Sequence, residues 1–286
     1  MQAADAIRLI SLAAIWGGSF IFLRVLSPVL GPIITADLRL LIAAMFLLVY
    51  FWLTKVSMDW GQNWLQYFVI GVVNSAIPFA LYSFAALHIS ASYSVILNSS
   101  SPLFGALFSS FFLDEKITLK KFLGLVTGAA GVVLVTKTGT AQADTLISWA
   151  ILACLMAALC YGFSAAYVKK YAGHLKPKAI AGASQLMAGL ALMPSIPFSP
   201  IKGEVNMLVV VNVMGLAILC SAIAYLLYYR LIAEIGPTKT LTVTFLMPIF
   251  GIFWGIIFLH ETISFSMIAG GLLILVGTSL ILGFVD

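Results

Sequence analysis

Charge is scarce in this sequence. Only 9% of its 286 residues are Asp, Glu, Lys or Arg, and 62% are hydrophobic. A soluble globular domain carries roughly 25% charged residues, so an ordinary soluble fold is excluded. Cysteine and histidine are equally sparse. Cys154, Cys160 and Cys220 fall inside apolar runs and show neither metal nor redox spacing. His88, His174 and His260 are scattered, without a zinc pattern. No Walker loop is present, which argues against ATP-driven work by this chain alone. No acid–base or metal-binding cluster gathers where a membrane-embedded enzyme would need one. Neither an enzymatic activity nor a cofactor or metal is therefore expected. The net charge of +5 is accounted for by lysines in short loops and calls for no nucleic acid partner.

Apolar runs of helix length fill the chain instead. They are approximately Ile7–Leu26, Ile33–Leu53, Trp64–Leu87, Ser92–Leu113, Leu119–Thr136, Leu146–Val168, Ala179–Phe198, Val205–Ile232, Thr238–Leu259 and Phe265–Phe284. Runs of this length are read as transmembrane helices. The links between them are short and carry turn formers or charge, as at Ser27-Pro28, Thr138-Gly139, Lys176-Pro177 and Gly236-Pro237. The first run is longer than a signal-peptide core and has an internal partner, so it is read as a mature span.

One stretch occurs twice, and the rest is organised around it. Tyr82, Pro102, Phe104-Gly105, Glu115, Gly124 and Gly131 recur as Tyr228, Pro248, Phe250-Gly251, Glu261, Gly270 and Gly277, each pair 146 residues apart. Earlier in each half, Trp16-Gly17-x-Ser19 resembles Tyr161-Gly162-x-Ser164 at an offset of 145, and Arg24 matches Lys169. The repeat is five helices long, over 1–138 and 146–286. An odd number of helices places the two copies upside down relative to each other. Basic residues agree, because they stay on the cytoplasmic side. With the N-terminus inside, Arg8, Lys55, Lys116, Lys120, Lys121, Lys169, Lys170, Lys176, Lys178, Arg230 and Lys239 fall inside, and only Arg24, Lys137 and Lys202 outside. Lys116, Lys120 and Lys121 align with Thr262, Ser266 and Met267. The lysines are lost where the same loop faces outward.

Inverted repeats of broken helices are a signature of secondary transporters, with the binding site near the bilayer midplane. Pro102 and Pro248 fall near the middles of helices four and nine. Each removes a backbone hydrogen bond and can kink its helix, so both are candidate hinges. The carbonyl freed at Pro102 needs a partner within the protein, and Asn98 and Ser99–Ser101 stand nearby.

Taken together, Trp16-Gly17-x-Ser19, Leu38-Arg39-Leu40, Pro102-x-Phe104 with Glu115 and Gly124, and Pro248-x-Phe250 with Glu261 and Gly270 resemble the drug/metabolite transporter superfamily, in its EamA-like branch. The resemblance covers the whole chain. It implies an all-α integral membrane protein with ten transmembrane helices as two inverted five-helix repeats. It also implies a central cavity between the halves and alternating-access transport without nucleotide hydrolysis, often export of amino acids or related metabolites. A bacterial inner membrane with both termini cytoplasmic is the expected location, and a monomer or homodimer the expected state. The seventh helix departs from a copy of the second, with Ser184-Gln185 where Asp37–Arg39 would recur.

The residues suggest the cavity's chemistry. Helix four carries a stripe of Asn98, Ser101, Gly105 and Phe108, and helix nine one of Thr244, Met247, Gly251 and Trp254. Such faces stack on an apolar ligand body while a few polar groups orient its head; small residues also serve plain helix packing. The candidate substrate-binding residues are Trp16, Phe20, Arg39, Tyr82, Asn98, Ser101, Phe108, Tyr161, Gln185, Tyr228, Thr244 and Trp254. Arg39 lies deep in a span, where charge is costly and must face protein or water. It either binds a substrate carboxylate or ties helices together. Asp37, nearer the helix end, is read as solvated. Glu115 and Glu261 at helix ends read as hinge or packing contacts. With one deep cation among aromatics, the expected substrates are neutral or aromatic amino acids and similar amphiphiles. Uptake or exchange of a larger cation such as S-adenosylmethionine is the alternative, since aromatic faces bind cations.

The topology is testable by labelling. A Lys178→Cys protein should react with an impermeant maleimide only from the cytoplasmic side, and a Lys202→Cys protein only from outside. Reversed labelling removes the N-inside assignment.

Overall fold

A computed structural model describes residues 3–139, 145–236 and 240–283. Pro237, Thr238 and Lys239, which bear on the start of the ninth span and on the charge count, lie outside the described residues. Ten helices follow one another: α1 (Ala3–Leu30), α2 (Pro32–Leu53), α3 (Trp60–Ala85), α4 (Ala91–Phe112), α5 (Leu119–Gly139), α6 (Thr145–Tyr171), α7 (Pro177–Phe198), α8 (Met207–Ile235), α9 (Val243–Leu259) and α10 (Phe265–Leu282). Among the described residues, nine are long and apolar enough to cross a bilayer, and α9 is a shorter apolar helix. Their outward faces carry large apolar side chains such as Trp52, Phe111, Phe198 and Phe265. The protein is a multi-pass membrane protein of the expected class.

Glycines hold the two halves together and expose the inversion. A Cβ added to Gly124 of α5 would lie 2.6 Å from the Gly277 carbonyl of α10, and one on Gly131 would lie 2.6 Å from the Gly270 carbonyl. Gly124 and Gly131 are the repeat equivalents of Gly270 and Gly277. The contact therefore maps onto itself when the halves are exchanged, and the start of α5 meets the end of α10. Only an antiparallel crossing, with the repeats upside down, does this. Without a hydrophobic drive between helices in lipid, close approach at small residues supplies the association. The same exchange relates α1·α9 to α6·α4: a Cβ on Gly17 would meet the Gly251 nitrogen at 2.8 Å, and one on Gly162 the Gly105 nitrogen at 2.6 Å.

Several helices depart from regularity, three of them beside the central space. α4 is interrupted at Ser99-Ser100, and its second part begins at Ser101 with Pro102 in the first turn. Serines satisfy the carbonyls at the break: Ser100 Oγ donates to Leu97 O at 2.6 Å and Ser101 Oγ to Asn98 O at 2.6 Å. α9 runs unbroken through Pro248. The two prolines therefore sit in different backbone contexts, which the sequence symmetry did not anticipate. α3 and α8 each contain a π-helical segment, Val72–Ala76 and Gly215–Ile223, at equivalent positions of the repeat. α7 finishes as a 3₁₀ turn over Met193–Phe198. Asp37 is not solvated: it is 2% exposed and its Oδ1 has no hydrogen-bond partner among the described residues. α2 enters the bundle at Pro32, so Asp37 already lies more than a turn inside it.

Gly277→Val places a branched side chain against the α5 backbone at Gly124 and Gly128. Overpacking of this kind costs about 1–3 kcal/mol. Thermal unfolding in detergent should fall accordingly, whereas Gly61→Val, with no atom near its added Cβ, should leave it unchanged.

Candidate functional site

A cavity of about 480 Å³ lies between the repeats. α1 contributes Trp16, Ser19, Phe20 and Leu23; α2 contributes Arg39; α3 contributes Asn74, Phe79 and Tyr82; α4 contributes Asn98, Ser101, Pro102 and Gly105. From the other half come Tyr161 of α6, Tyr225 and Tyr228 of α8, and Thr244 and Met247 of α9. The aromatic rings of the wall pack against one another in two groups. Trp16 and Tyr228 are 5.3 Å apart between centroids, Phe20 and Tyr82 5.2 Å, and Tyr82 and Tyr161 6.2 Å in a stacked arrangement. The Tyr82 hydroxyl donates to Asn98 Oδ1 at 2.9 Å.

Among the described residues, Arg39 is the one charged group deep in the wall. Its side chain is ordered on two sides. Nε donates to Ser221 Oγ at 2.8 Å, and the guanidinium carbon stands 3.8 Å over the Phe79 ring. Ser221 belongs to the π-helical segment of α8, and Asn74 to that of α3. Single turns of this type recur at functional sites because they re-aim side chains and carbonyls. Neither Nη atom of Arg39 is hydrogen-bonded among the described residues.

Of the residues expected at the site, Trp16, Phe20, Arg39, Tyr82, Asn98, Ser101, Tyr161, Tyr228, Thr244 and Pro102 line this cavity. Phe108, Gln185, Trp254 and Pro248 do not. Phe108 turns towards Phe112 and Phe163. Trp254 donates from Nε1 to Ala14 O at 3.1 Å and packs on Phe253 and Phe258. Gln185 is 1% exposed on α7, which packs against α2 and α3. A stripe on α4 or α9 is wide enough to face a neighbouring helix at one end and the cavity at the other, and sequence spacing does not say which. Phe79 and Tyr225 were missed. The signal was available: Phe79-x-x-Tyr82 recurs as Tyr225-x-x-Tyr228 at the repeat offset.

The two ends of the cavity differ. At one end α9 closes on α4. A Cβ on Gly251 would lie 2.6 Å from a Val95 methyl, and one on Gly255 2.5 Å from Ser92 Oγ. Glu261 completes the closure, accepting from Ala91 N at 2.7 Å and Ser92 N at 2.9 Å. A carboxylate on the free N–H groups of a helix start is a strong cap. At the other end the repeat equivalents of Gly251, Gly255 and Val95, namely Gly105, Ser109 and Leu241, line the cavity. Its rim there includes Glu115, Lys121, Lys169 and Leu282. Glu115 accepts from Lys121 Nζ at 2.9 Å and Lys169 Nζ at 2.8 Å. Those hydrogen bonds, from Lys169 first and Lys121 second, hold its carboxyl below the ordinary range.

The profile of the EamA-like transporter family matches this chain twice, over residues 6–137 and 148–283. An uncharacterized transporter of Archaeoglobus fulgidus is 25% identical over 285 residues, covering 93% of this chain and 93% of its own length. The uncharacterized transporter YoaV of Bacillus subtilis is 22% identical, covering 94% and 93%. Protein PecM of Dickeya dadantii is 22% identical, covering 90% and 84%. One solved crystal structure superposes with a TM-score of 0.66 at 18% identity, over 98% of this chain and 96% of that one, and shares the fold.

Cysteines introduced singly at Ser101 and Thr244 should react with a small thiol reagent entering from the Glu115 end. Those at Phe108 and Trp254 should react at rates at least about tenfold lower, since their positions are packed away from the cavity. Equal rates at all four positions would move the cavity wall.

Proposed function

The chain belongs to the EamA-like transporter family, and on that premise we propose that it is a secondary transporter for small metabolites bearing a carboxylate on an apolar or aromatic body. Neutral and aromatic amino acids are the leading candidates, and export is the direction. Arg39 carries this reading. It is 5% exposed, faces the cavity, and leaves both Nη groups without a hydrogen bond among the described residues. A planar guanidinium in that state matches a carboxylate with two parallel hydrogen bonds. The aromatic surface of Trp16, Tyr82, Tyr161 and Tyr228 suits the apolar body, and Asn98 with Ser101 and Thr244 suits a neutral or ammonium head. Among the described residues the cavity has no carboxylate away from its rim, which leaves a larger cation such as S-adenosylmethionine with less support.

The unequal ends support alternating access. In the second state α4 and the segment leading into α9 would adopt at the Glu115 end the contact seen at the Glu261 end. The repeats, with boundaries near 138 and 146, would exchange their arrangements. The reading places the Glu115 end in the cytoplasm, the protein in a bacterial inner membrane as a monomer or homodimer, and assigns it no covalent chemistry.

Counterflow in proteoliposomes tests the substrate class. Labelled phenylalanine or leucine should exchange, and phenethylamine, which lacks the carboxylate, should compete poorly. Arg39→Gln should raise the half-saturating concentration by about tenfold or more, the range of a charge-assisted hydrogen bond. Trp16→Ala should weaken binding by about 1 kcal/mol. Competition by phenethylamine equal to that of phenylalanine removes the carboxylate reading.

A further inference from the structure

A second cavity, of about 450 Å³, opens where α2 stops, α7 starts and α8 nears its end. Lys55 and Val56 border it from the first repeat, and Lys176, Lys178 and Ile232 from the second. Its walls are fixed from below. Phe51 of α2 is fully buried, and a Cβ on Gly182 of α7 would lie 2.8 Å from its ring. The seam between α2 and α7 is therefore closed at that level and flares about one turn further on. Lys55 takes the left-handed position after α2, with φ of 55°, and Val56 N bonds back to Phe51 O at 2.9 Å, so the exit of the chain is set. The repeat counterpart of this place, at the opposite end, is closed by the chain itself. Lys176 and Lys178 correspond to Gly31 and Ile33 at the offset of 145, and Ile232 to Ala86 at 146. There the backbone N–H groups of Lys202 and Gly203 donate to Val29 O at 2.9 and 3.1 Å, and Arg24 donates to Ala86 O. Among the described residues no such backbone bond joins 54–58 to 174–178.

The charge here is one-sided. Among the described residues, none of Lys55, Lys176 and Lys178 forms an ion pair, and no carboxylate lines the cavity. The carboxylates on adjoining segments are engaged: Asp59 accepts from Ser57 Oγ at 2.6 Å, and Glu234 is bound by Arg8 and Arg230. α7 begins here with no capping bond from the Lys176 side chain, which adds the positive end of a helix dipole. Like charges gathered without a counter-charge repel, and an anion among them relieves that repulsion. Trp52, in the last turn of α2, is 80% exposed. Tryptophan at the end of a span marks the headgroup level of the bilayer, which sets the cavity at that level. Basic pockets between helices on the cytoplasmic side hold phosphate head groups, and this end is cytoplasmic on the N-inside reading. We propose that Lys55, Lys176 and Lys178 bind the phosphate of an anionic phospholipid, which bridges α2 of one repeat to α7 of the other. Its acyl chains would run down the outward face of α2 at Trp52 and Leu53, both exposed. Orientation in the membrane calls for lysines in the inner loops but not for their convergence on one cavity. The site rests on the membrane reading of the helices and is independent of the transported substrate.

Native mass spectrometry of the full chain, released from micelles containing equal phosphatidylglycerol and phosphatidylcholine, reads the site without flux. The unsubstituted protein should retain phosphatidylglycerol in preference to phosphatidylcholine. Lys55→Gln, Lys176→Gln and Lys178→Gln together should lower that preference by about tenfold or more, since one lysine near a head group contributes about fivefold. Lys116→Gln, Lys120→Gln and Lys170→Gln together remove the same charge from inner segments that do not line the cavity. That variant should lower the preference by less than about twofold, because distant exposed charges are screened. Lys55→Arg, Lys176→Arg and Lys178→Arg together should keep it, as a guanidinium also binds phosphate. Inorganic phosphate at matched ionic strength should leave the lipid bound. An unchanged preference in the first variant, or equal losses in both glutamine variants, overturns the site. Displacement by inorganic phosphate assigns the cavity to a soluble anion and overturns the lipid. Failure of amino acid counterflow with the lipid preference intact removes the substrate class and leaves the lipid site standing.

Discussion

In the hydrocarbon of a bilayer every backbone N–H and C=O must find its partner inside the protein. The places where this chain departs from a plain helix are therefore few and supported. The break at Ser99-Ser100 is carried by the Ser100 and Ser101 hydroxyls. The irregular segments of α3 and α8 present Asn74 and Ser221 towards the centre, and Ser221 holds Arg39. Irregular backbone is tolerated at membrane depth where it lines a cavity, and the cavity here has these segments in or behind its wall. The site exists because the constraint was met locally with hydroxyls and by repacking rather than by regular helix.

The second dependence is on an imperfect internal symmetry. Glycine contacts that map onto themselves, Gly124 with Gly277 and Gly131 with Gly270, dock the repeats with the same geometry in either sense. They establish the axis and stay neutral between the two ends. The charges laid over that frame differ between the ends. Glu261 caps a helix, whereas Glu115 is bound by Lys121 and Lys169. Duplication supplies two nearly equivalent arrangements, and a few substituted side chains make the two ends unlike.

The sequence by itself determined the class, the number of helices, the repeat and its inversion. These rest on signals that survive without tertiary information: span-length apolar runs, an odd helix count per copy, and Pro, Glu and Gly matches at one offset. It also marked much of the candidate site. Trp16, Tyr82, Tyr161 and Tyr228 stood out because aromatic and small residues repeat between the halves, and Arg39 because a charge inside a span needs a reason. Tertiary structure alone decided which side of each helix meets the cavity. Trp254 and Phe108 have the composition of wall residues, yet a neighbouring carbonyl and two phenylalanines claim them. The fate of Asp37, the different backbones at Pro102 and Pro248, and the unequal use of Glu115 and Glu261 were decided there as well. Each depends on what stands opposite a residue after two distant segments pack, and a spacing within one helix does not contain that partner.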